Sequence, residues 1–296
     1  MRPSLVCLSR STFNGVSQIF LQTHRGCGLL ILIAIGMQDC ALLAGALLGL
    51  FSGTLVAWLS RYSRDDIKAG LYGYNAALLG LLIALVLGPT PLAALLTLLA
   101  AALASPIQRR LLEQMRERGC LPGFTLAFVL LGWLTLALCG TLDGVVDARL
   151  PEQRLHGWGA LGGIFSGVGQ VIFLADPLAG LCVFLGLLWA DRRAALWVLC
   201  GSAVGIYAAL LGGAPQSQAL AGLAGYNPAL AALALSQVHR SAVAPALGIV
   251  LAILARLAFE RLGVPPLTMP FILACWAVAL GMRRGAGRLT PQSNQA

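Results

Sequence analysis

The sequence predicts an all-α polytopic membrane protein made of two inverted-topology repeats, each with five transmembrane helices and one re-entrant half-helix. Three observations predict this fold: an apolar composition, a sequence duplication at a constant offset, and a one-sided distribution of basic residues. Of the 296 residues, 58% are hydrophobic and 10% are charged, and the mean hydropathy is +0.84. A soluble domain of this composition would have too few polar residues to cover its surface, so the lipid bilayer must be the solvent.

The duplication is visible in two short motifs that each occur twice. Phe13–Gln18 returns as Phe165–Gln170, and the tripeptide ending at Asn75 returns as the one ending at Asn227, both at an offset of 152 residues. A constant offset predicts one structural unit present twice, and in membrane transporters the working site lies between such halves. The predicted limits are 1–142 for the first repeat, 143–158 for a connector, 159–284 for the second repeat and 285–296 for a disordered C-terminal tail.

Apolar runs between charged breaks predict six segments in each half. The first segment of each half is the most polar, which makes it the candidate for a helix that enters and leaves on one side. The segments of the first half are 12–22, 28–38, 41–60, 70–87, 91–105 and 124–142. Those of the second half are 164–174, 178–190, 194–212, 220–235, 242–258 and 268–282.

The basic residues predict the orientation of these segments. With a cytoplasmic N terminus and a re-entrant first segment, the cytoplasmic breaks collect Arg61, Arg64, Lys68, Arg109, Arg110, Arg116, Arg118, Arg192, Arg193, Arg240, Arg283, Arg284 and Arg288. The outside receives only Arg149, Arg154, Arg256 and Arg261. Because each half has five crossings, which is an odd number, the second repeat is inverted relative to the first. Ten crossings in total leave both termini in the cytoplasm, and the protein is expected to be a multi-pass protein of the cell inner (plasma) membrane. Because the net charge of +9 is spread over short breaks, nucleic acid is not an expected partner.

The ionisable side chains indicate which chemistry is absent. The predicted crossings contain almost no Asp, Glu, Lys or His, whereas a coupled transporter needs a buried relay group and a charged solute needs a countercharge. The eight cysteines form no CxxC pair, so no metal or cofactor is expected. Asp143, Asp147, Glu152 and His156 are interpreted as a solvated turn, which leaves no constellation for an enzyme. The sequence therefore predicts passive permeation of a neutral solute.

The apolar segments retain a small symmetric set of neutral polar side chains. The threonines of this set come from aligning Thr125–Phe128 with Thr268–Phe271 at an offset of 143. An unsatisfied amide in hydrocarbon costs several kcal/mol, so such groups must face one another, the backbone or a permeant solute. An interhelical hydrogen bond is the alternative for any one of them. The set consists of Gln18 with Gln170, Asn75 with Asn227, and Thr125 with Thr268.

Four motifs in order resemble the bacterial and animal urea transporters, which are urea channels. The motifs are Gly15–Phe20, Gly167–Ile172 with Asp176–Leu181 after it, the two Gly-x-x-Gly-Tyr-Asn sequences, and Pro265–Phe271, and the resemblance spans 13–282. It implies a homotrimer in the lipid bilayer, with a pore between the repeats of each protomer. In that family, oxygen ladders and flat hydrophobic slots remove water from urea and pass it in file.

The resemblance also implies roles for individual residues. It places the two glutamines at the re-entrant helices near the two slots and the two threonines at the centre. Candidate slot walls are Leu21, Phe173, Leu78 and Leu230. Urea is planar and neutral, with one acceptor and four N–H donors, so oxygen acceptors along a narrow apolar slot can replace its lost water.

Three functions are compatible with the sequence to different degrees. The leading hypothesis is passive permeation of urea through a narrow neutral pore. The alternative is the same architecture conducting short amides, ammonia or water, because small neutral solutes cannot be ranked from one sequence. A membrane-embedded enzyme or coupled carrier is the third, and it has no supporting acid, base, nucleophile or metal cluster.

Overall fold

The computed structural model describes the backbone of residues 5–140 and 157–288, and within these ranges every regular element is helical. The helices of the first half are α1 (Leu5–Ser17), α2 (Arg25–Gln38), α3 (Cys40–Leu59), α4 (Arg64–Lys68), α5 (Tyr74–Leu87), α6 (Pro91–Arg118) and α7 (Leu126–Leu138). Those of the second half are α8 (Gly157–Gly169), α9 (Pro177–Ala190), α10 (Arg192–Leu211), α11 (Gln216–Leu220), α12 (Tyr226–Val238), α13 (Val243–Arg261) and α14 (Met269–Arg288). The predicted all-α class is confirmed.

The helix bounds recur along the chain. Helices α1, α2 and α3 begin and end 152 residues before α8, α9 and α10, and α7 begins 143 residues before α14. Helix α14 continues to Arg288, past the predicted end of the second repeat at residue 284. Residues 141–156, with most of the predicted connector, and residues 289–296 of the predicted tail lie outside the described residues. The predicted repeat limits and the inversion of the second half stay predictions.

Length and composition support fewer membrane spans than the ten predicted crossings. Four described helices, α3, α6, α10 and α13, are long and apolar enough to cross a bilayer. Two further spans result if Ser9–Phe20 with α2, and Gly159–Ile172 with α9, each count as one bent unit. The bends are 77° and 75°, typical of a broken span or a re-entrant loop, and the predicted re-entrant segments lie on them. Because α5 and α7 are short apolar helices, the count of ten stays a prediction.

A sharp turn follows α1 and another follows α8. Each helix continues as a 3₁₀ turn, Gln18–Phe20 or Gln170–Ile172, that ends at a residue in the left-handed region: Leu21 at φ 55° or Phe173 at φ 62°. The next helix then starts from a capped N terminus, since Asp176 accepts a hydrogen bond from the N–H of Ala179 in α9. The two turns therefore hold Leu21 and Phe173 at equivalent corners.

Two glycines let the helices after these turns pack directly on the helices before them. A Cβ at Gly28 would lie 2.0 Å from the carbonyl oxygen of Phe13, and a Cβ at Gly180 would lie 1.9 Å from that of Phe165. Both distances are far below van der Waals contact, and the obstacle is backbone in each case. Only glycine fits at these positions, so the bent units are compact.

The two halves hold each other through reciprocal hydrogen bonds. The indole N–H of Trp133 donates to the carbonyl oxygen of Pro265, and the indole N–H of Trp276 donates to that of Pro122, both at 2.8 Å. Each bond joins one half to the loop before the last helix of the other half. An exchange of equivalent contacts in both directions is the signature of an approximate twofold relation.

Candidate functional site

A cavity of about 1070 Å³ lies between the two halves. Its walls combine Leu82 and Phe128 from the first half with Gln170, Phe173 and Thr268 from the second half. The cavity is therefore lined mainly by aromatic and aliphatic faces, with a few neutral polar groups and three charged side chains among them. This composition is typical of sites that take small molecules.

A threonine pair joins the two halves, and one member of the pair, Thr268, lines this cavity. The hydroxyls of Thr125 and Thr268 are 2.7 Å apart, and both side chains are buried. Each threonine follows a residue in the left-handed region, Phe124 or Leu267, with φ 43° in both cases. Non-glycine residues in this conformation cost free energy, and they cluster at functional sites. The alignment of the two threonines by their motifs predicted a pair that the structure brings into contact.

Two tyrosines hold the strained residues in place. The hydroxyl of Tyr226 donates to the carbonyl oxygen of Leu267 at 2.7 Å, and the hydroxyl of Tyr74 donates to the carbonyl oxygen of Phe124. Each tyrosine lies next to an asparagine of the repeated Gly-Tyr-Asn motif. The motif therefore positions the chain immediately before each threonine.

The two asparagines bind protein groups with both ends of their amides. The side-chain oxygen of Asn75 accepts the N–H of Phe128 at 3.1 Å, and that of Asn227 accepts the N–H of Phe271 at 3.2 Å. These bonds satisfy N–H groups in the first turns of α7 and α14, which have no partner within their helices. The amide nitrogens donate to Gln108 and to the carbonyl oxygen of Leu267, each at 3.0 Å. A role in the pore stays a prediction for both asparagines.

The two glutamines occupy equivalent positions with different partners. The amide nitrogen of Gln170 donates to the carbonyl oxygen of Ala221 at 2.9 Å, and Gln170 lines the cavity. The amide nitrogen of Gln18 donates to the hydroxyl of Thr23 at the same distance. In the same region the amide of Gln237 in α12 donates to the carbonyl oxygen of Leu21 at 3.2 Å. Each glutamine thus lies beside a left-handed corner.

Comparison with known proteins assigns this architecture to a family. The family model described as "Urea transporter" matches residues 9–283. The chain belongs to the urea transporter family. It is 32% identical over 284 residues to Urea transporter 1 of Ovis aries and to Urea transporter 1 of Capra hircus, which covers 88% of this chain and 73% of each relative. It is also 28% identical over 253 residues to Urea transporter 1 of Rattus norvegicus, covering 79% of this chain and 66% of the relative.

The apolar residues that the resemblance offered as slot walls of this urea transporter lie in two settings. Phe173 lines the cavity, and its ring meets that of Phe128 edge-on at 6.2 Å between centroids. Leu21 is half-buried at the equivalent corner. Leu78 and Leu230 are fully buried in the core of α5 and α12, next to the asparagine motifs. All four assignments stay predictions, and Phe173 has the most direct access to the cavity.

Sequence reasoning missed three charged residues on the cavity wall, Asp39, Arg256 and Glu260. Arg256 and Glu260 both line the cavity and form an ion pair one helical turn apart on α13. Arg256 is only 8% exposed, although it was expected at a segment end on the outside, where its side chain could reach water. The expected exposure is wrong, because the side chain is buried where it lines the cavity, whereas the position on the outside of the membrane stays a prediction. The signal was an arginine paired with a glutamate at i,i+4 in an apolar segment.

Proposed function

We propose that this protein is a passive urea channel and that urea crosses the membrane through the cavity between its halves. The observation that carries the proposal is a cavity walled by both halves and lined by Thr268 of the buried threonine pair, in a chain of the urea transporter family. The family is a transporter family, and the proposal accordingly excludes an enzymatic reaction.

The cavity has the chemical groups that a small planar amide requires. The rings of Phe173 and Phe128 present flat apolar surfaces, and the hydroxyl of Thr268 and the amide of Gln170 offer oxygen acceptors beside them. Urea carries four N–H donors, and each donor left unpaired on entry would cost about 1–3 kcal/mol. Neutral acceptors replace water for these donors without binding so tightly that the solute stops moving.

The repeat architecture, the membrane topology and the oligomeric state are part of the same proposal. The chain consists of a first repeat at 1–142 and an inverted second repeat at 159–284, with five crossings and one re-entrant half-helix each. The protein lies in the inner membrane with both termini in the cytoplasm and assembles as a homotrimer with one pore per protomer. The repeated helix bounds and the reciprocal tryptophan bonds support the twofold part of this arrangement. Native mass spectrometry in detergent tests the trimer. Labelling from either side of cysteines introduced at residues 88 and 119, in a variant whose native cysteines are replaced by alanine, tests the topology.

Permeability measurements on purified protein test the function. Proteoliposomes are mixed with urea in a stopped-flow instrument, and the rate of volume recovery is compared with that of protein-free liposomes. We expect a clear gain for urea that a protonophore does not alter. Acetamide, formamide, ammonia and water measured in the same vesicles rank the alternative solutes. Urea permeability equal to that of empty liposomes would refute the proposal.

A further inference from the structure

We infer that Arg256 is a specificity-determining residue of the permeation path, because its guanidinium is placed to donate a hydrogen bond to the carbonyl oxygen of urea. This inference rests on the proposed function and extends it to the one acceptor of the solute. The polar groups discussed above pair mainly with the N–H donors of urea. Arg256 supplies the complementary donor on the same cavity wall.

The burial of Arg256 is what makes it unusual. It lies five positions before the last residue of α13, in a helix that is long and apolar enough to span a bilayer. Only 8% of the residue is exposed, and it lines the cavity together with Phe173 and Thr268. Burying a guanidinium is costly unless its donors are paired, so a cation at this position calls for a hydrogen-bonding role.

The donors of Arg256 are only partly used. A guanidinium has five N–H donors and no acceptor. Among the described residues, Glu260 is the one hydrogen-bond partner of Arg256, and it accepts from Nη1. The Nε atom is buried without a partner. The Nη2 donors also have no protein partner within the described part of the chain, so this end of the side chain can serve a solute in the cavity.

The negative charges on the same cavity do not replace this donor. Glu260 is about half exposed and accepts the hydrogen bond from Arg256, and Asp39 caps α3 by accepting the N–H of Ala41 at 2.7 Å. Carboxylates accept hydrogen bonds and cannot donate to a carbonyl oxygen. Of the charged residues that line this cavity, Arg256 is therefore the one that can recognise the solute's acceptor.

The ion pair between Arg256 and Glu260 belongs to the second half and has no equivalent in the first half. An offset of 152 residues carries Arg256 onto Ala104 and Glu260 onto Gln108. Ala104 is buried and apolar, and Gln108 accepts the amide of Asn75 at 3.0 Å. In the second half, the equivalent Asn227 binds the carbonyl oxygen of Leu267 instead, which leaves Glu260 for the arginine. The ion pair is therefore not a shared element of the duplicated fold, which argues for a function at one side of the site.

Urea and thiourea make a matched pair of probes for this inference. Both are planar and carry four N–H donors, but sulfur is a much weaker acceptor than a carbonyl oxygen. The urea-to-thiourea permeability ratio in proteoliposomes therefore reports on the donor to the acceptor atom. We expect Arg256→Met to lower this ratio about tenfold through slower urea permeation, which corresponds to one lost hydrogen bond to a charged donor. Arg256→Lys keeps the charge but loses the planar fork, so its urea-to-thiourea permeability ratio should lie between those of the wild type and Arg256→Met.

The control is Arg261→Met, which removes an exposed arginine from the last position of the same helix. It should keep the wild-type ratio. An unchanged ratio in Arg256→Met, or an equal fall for both solutes, would overturn the inference. If Arg256→Met does not assemble, the ratio in Arg256→Lys decides, since an unchanged value there contradicts the role of the fork. Wild-type protein without urea permeability would instead refute the proposed function itself.

Discussion

Valine substitutions at Thr125 and Thr268, made singly and together, separate a solute site from an ordinary interhelical bond. The two hydroxyls are 2.7 Å apart and buried, so each is the other's partner. Valine keeps nearly the same shape and removes only the hydroxyl. Removing one hydroxyl leaves the other unpaired, which should lower the free energy of unfolding by about 1–3 kcal/mol. Removing both leaves no orphan group, so the double variant should regain much of that loss.

Urea flux should follow a different pattern from stability. If the hydroxyls replace water around the solute, each single substitution removes about 1–1.5 kcal/mol of stabilisation and slows urea about tenfold. The double variant then has the lowest flux although its stability is close to that of the wild type. Thermal unfolding in detergent and stopped-flow permeability of the same preparations give both quantities. Flux that recovers together with stability in the double variant would refute the pore role and leave the threonines as a structural bond.

Three further substitutions test the fold and the cavity. Gly28→Ala should prevent assembly because its Cβ would lie 2.0 Å from a backbone oxygen, whereas Gly281→Ala, with open space around it, should assemble as the wild type does by size-exclusion chromatography. Trp133→Phe should lower the free energy of unfolding by about 0.5–1.5 kcal/mol through loss of the bond to Pro265, and an unchanged melting temperature would show that this bond does not contribute. Phe173→Ala should raise the permeability of N-methylurea relative to urea about tenfold because it removes a ring from the cavity wall, and a constant ratio in vesicles would exclude a selective role for that ring.

The fold class and the family could be predicted because composition and repeated motifs act over the whole chain. The apolar content requires a bilayer, and the duplicated motifs brought Thr125 and Thr268 into one set before any contact was known. The resemblance to urea transporters is confirmed by the family match over residues 9–283. The inverted arrangement and the individual pore residues stay predictions.

Contacts that depend on three dimensions could not be predicted. The amide of Asn75 binds Gln108, and nothing in the spacing of these residues selects that pair over a solute. The direction of an arginine near a helix end is equally hidden, since Arg256 could have reached outward to water. The number of membrane crossings stays a prediction for a related reason. Most residues of a short apolar helix such as α5 are buried within the protein, so its length need not match the bilayer thickness.

The reciprocal bonds between Trp133 and Pro265 and between Trp276 and Pro122 make the sequence of each half depend on that of the other. Each indole depends on a carbonyl 132 or 154 positions away in sequence, supplied by the opposite half. Either half made alone would expose one unmatched donor and one unmatched carbonyl at the surface that its twin covers. After the duplication, the two copies could diverge at single positions such as Arg256 and Ala104, while the tryptophan bonds required the two halves to remain complementary.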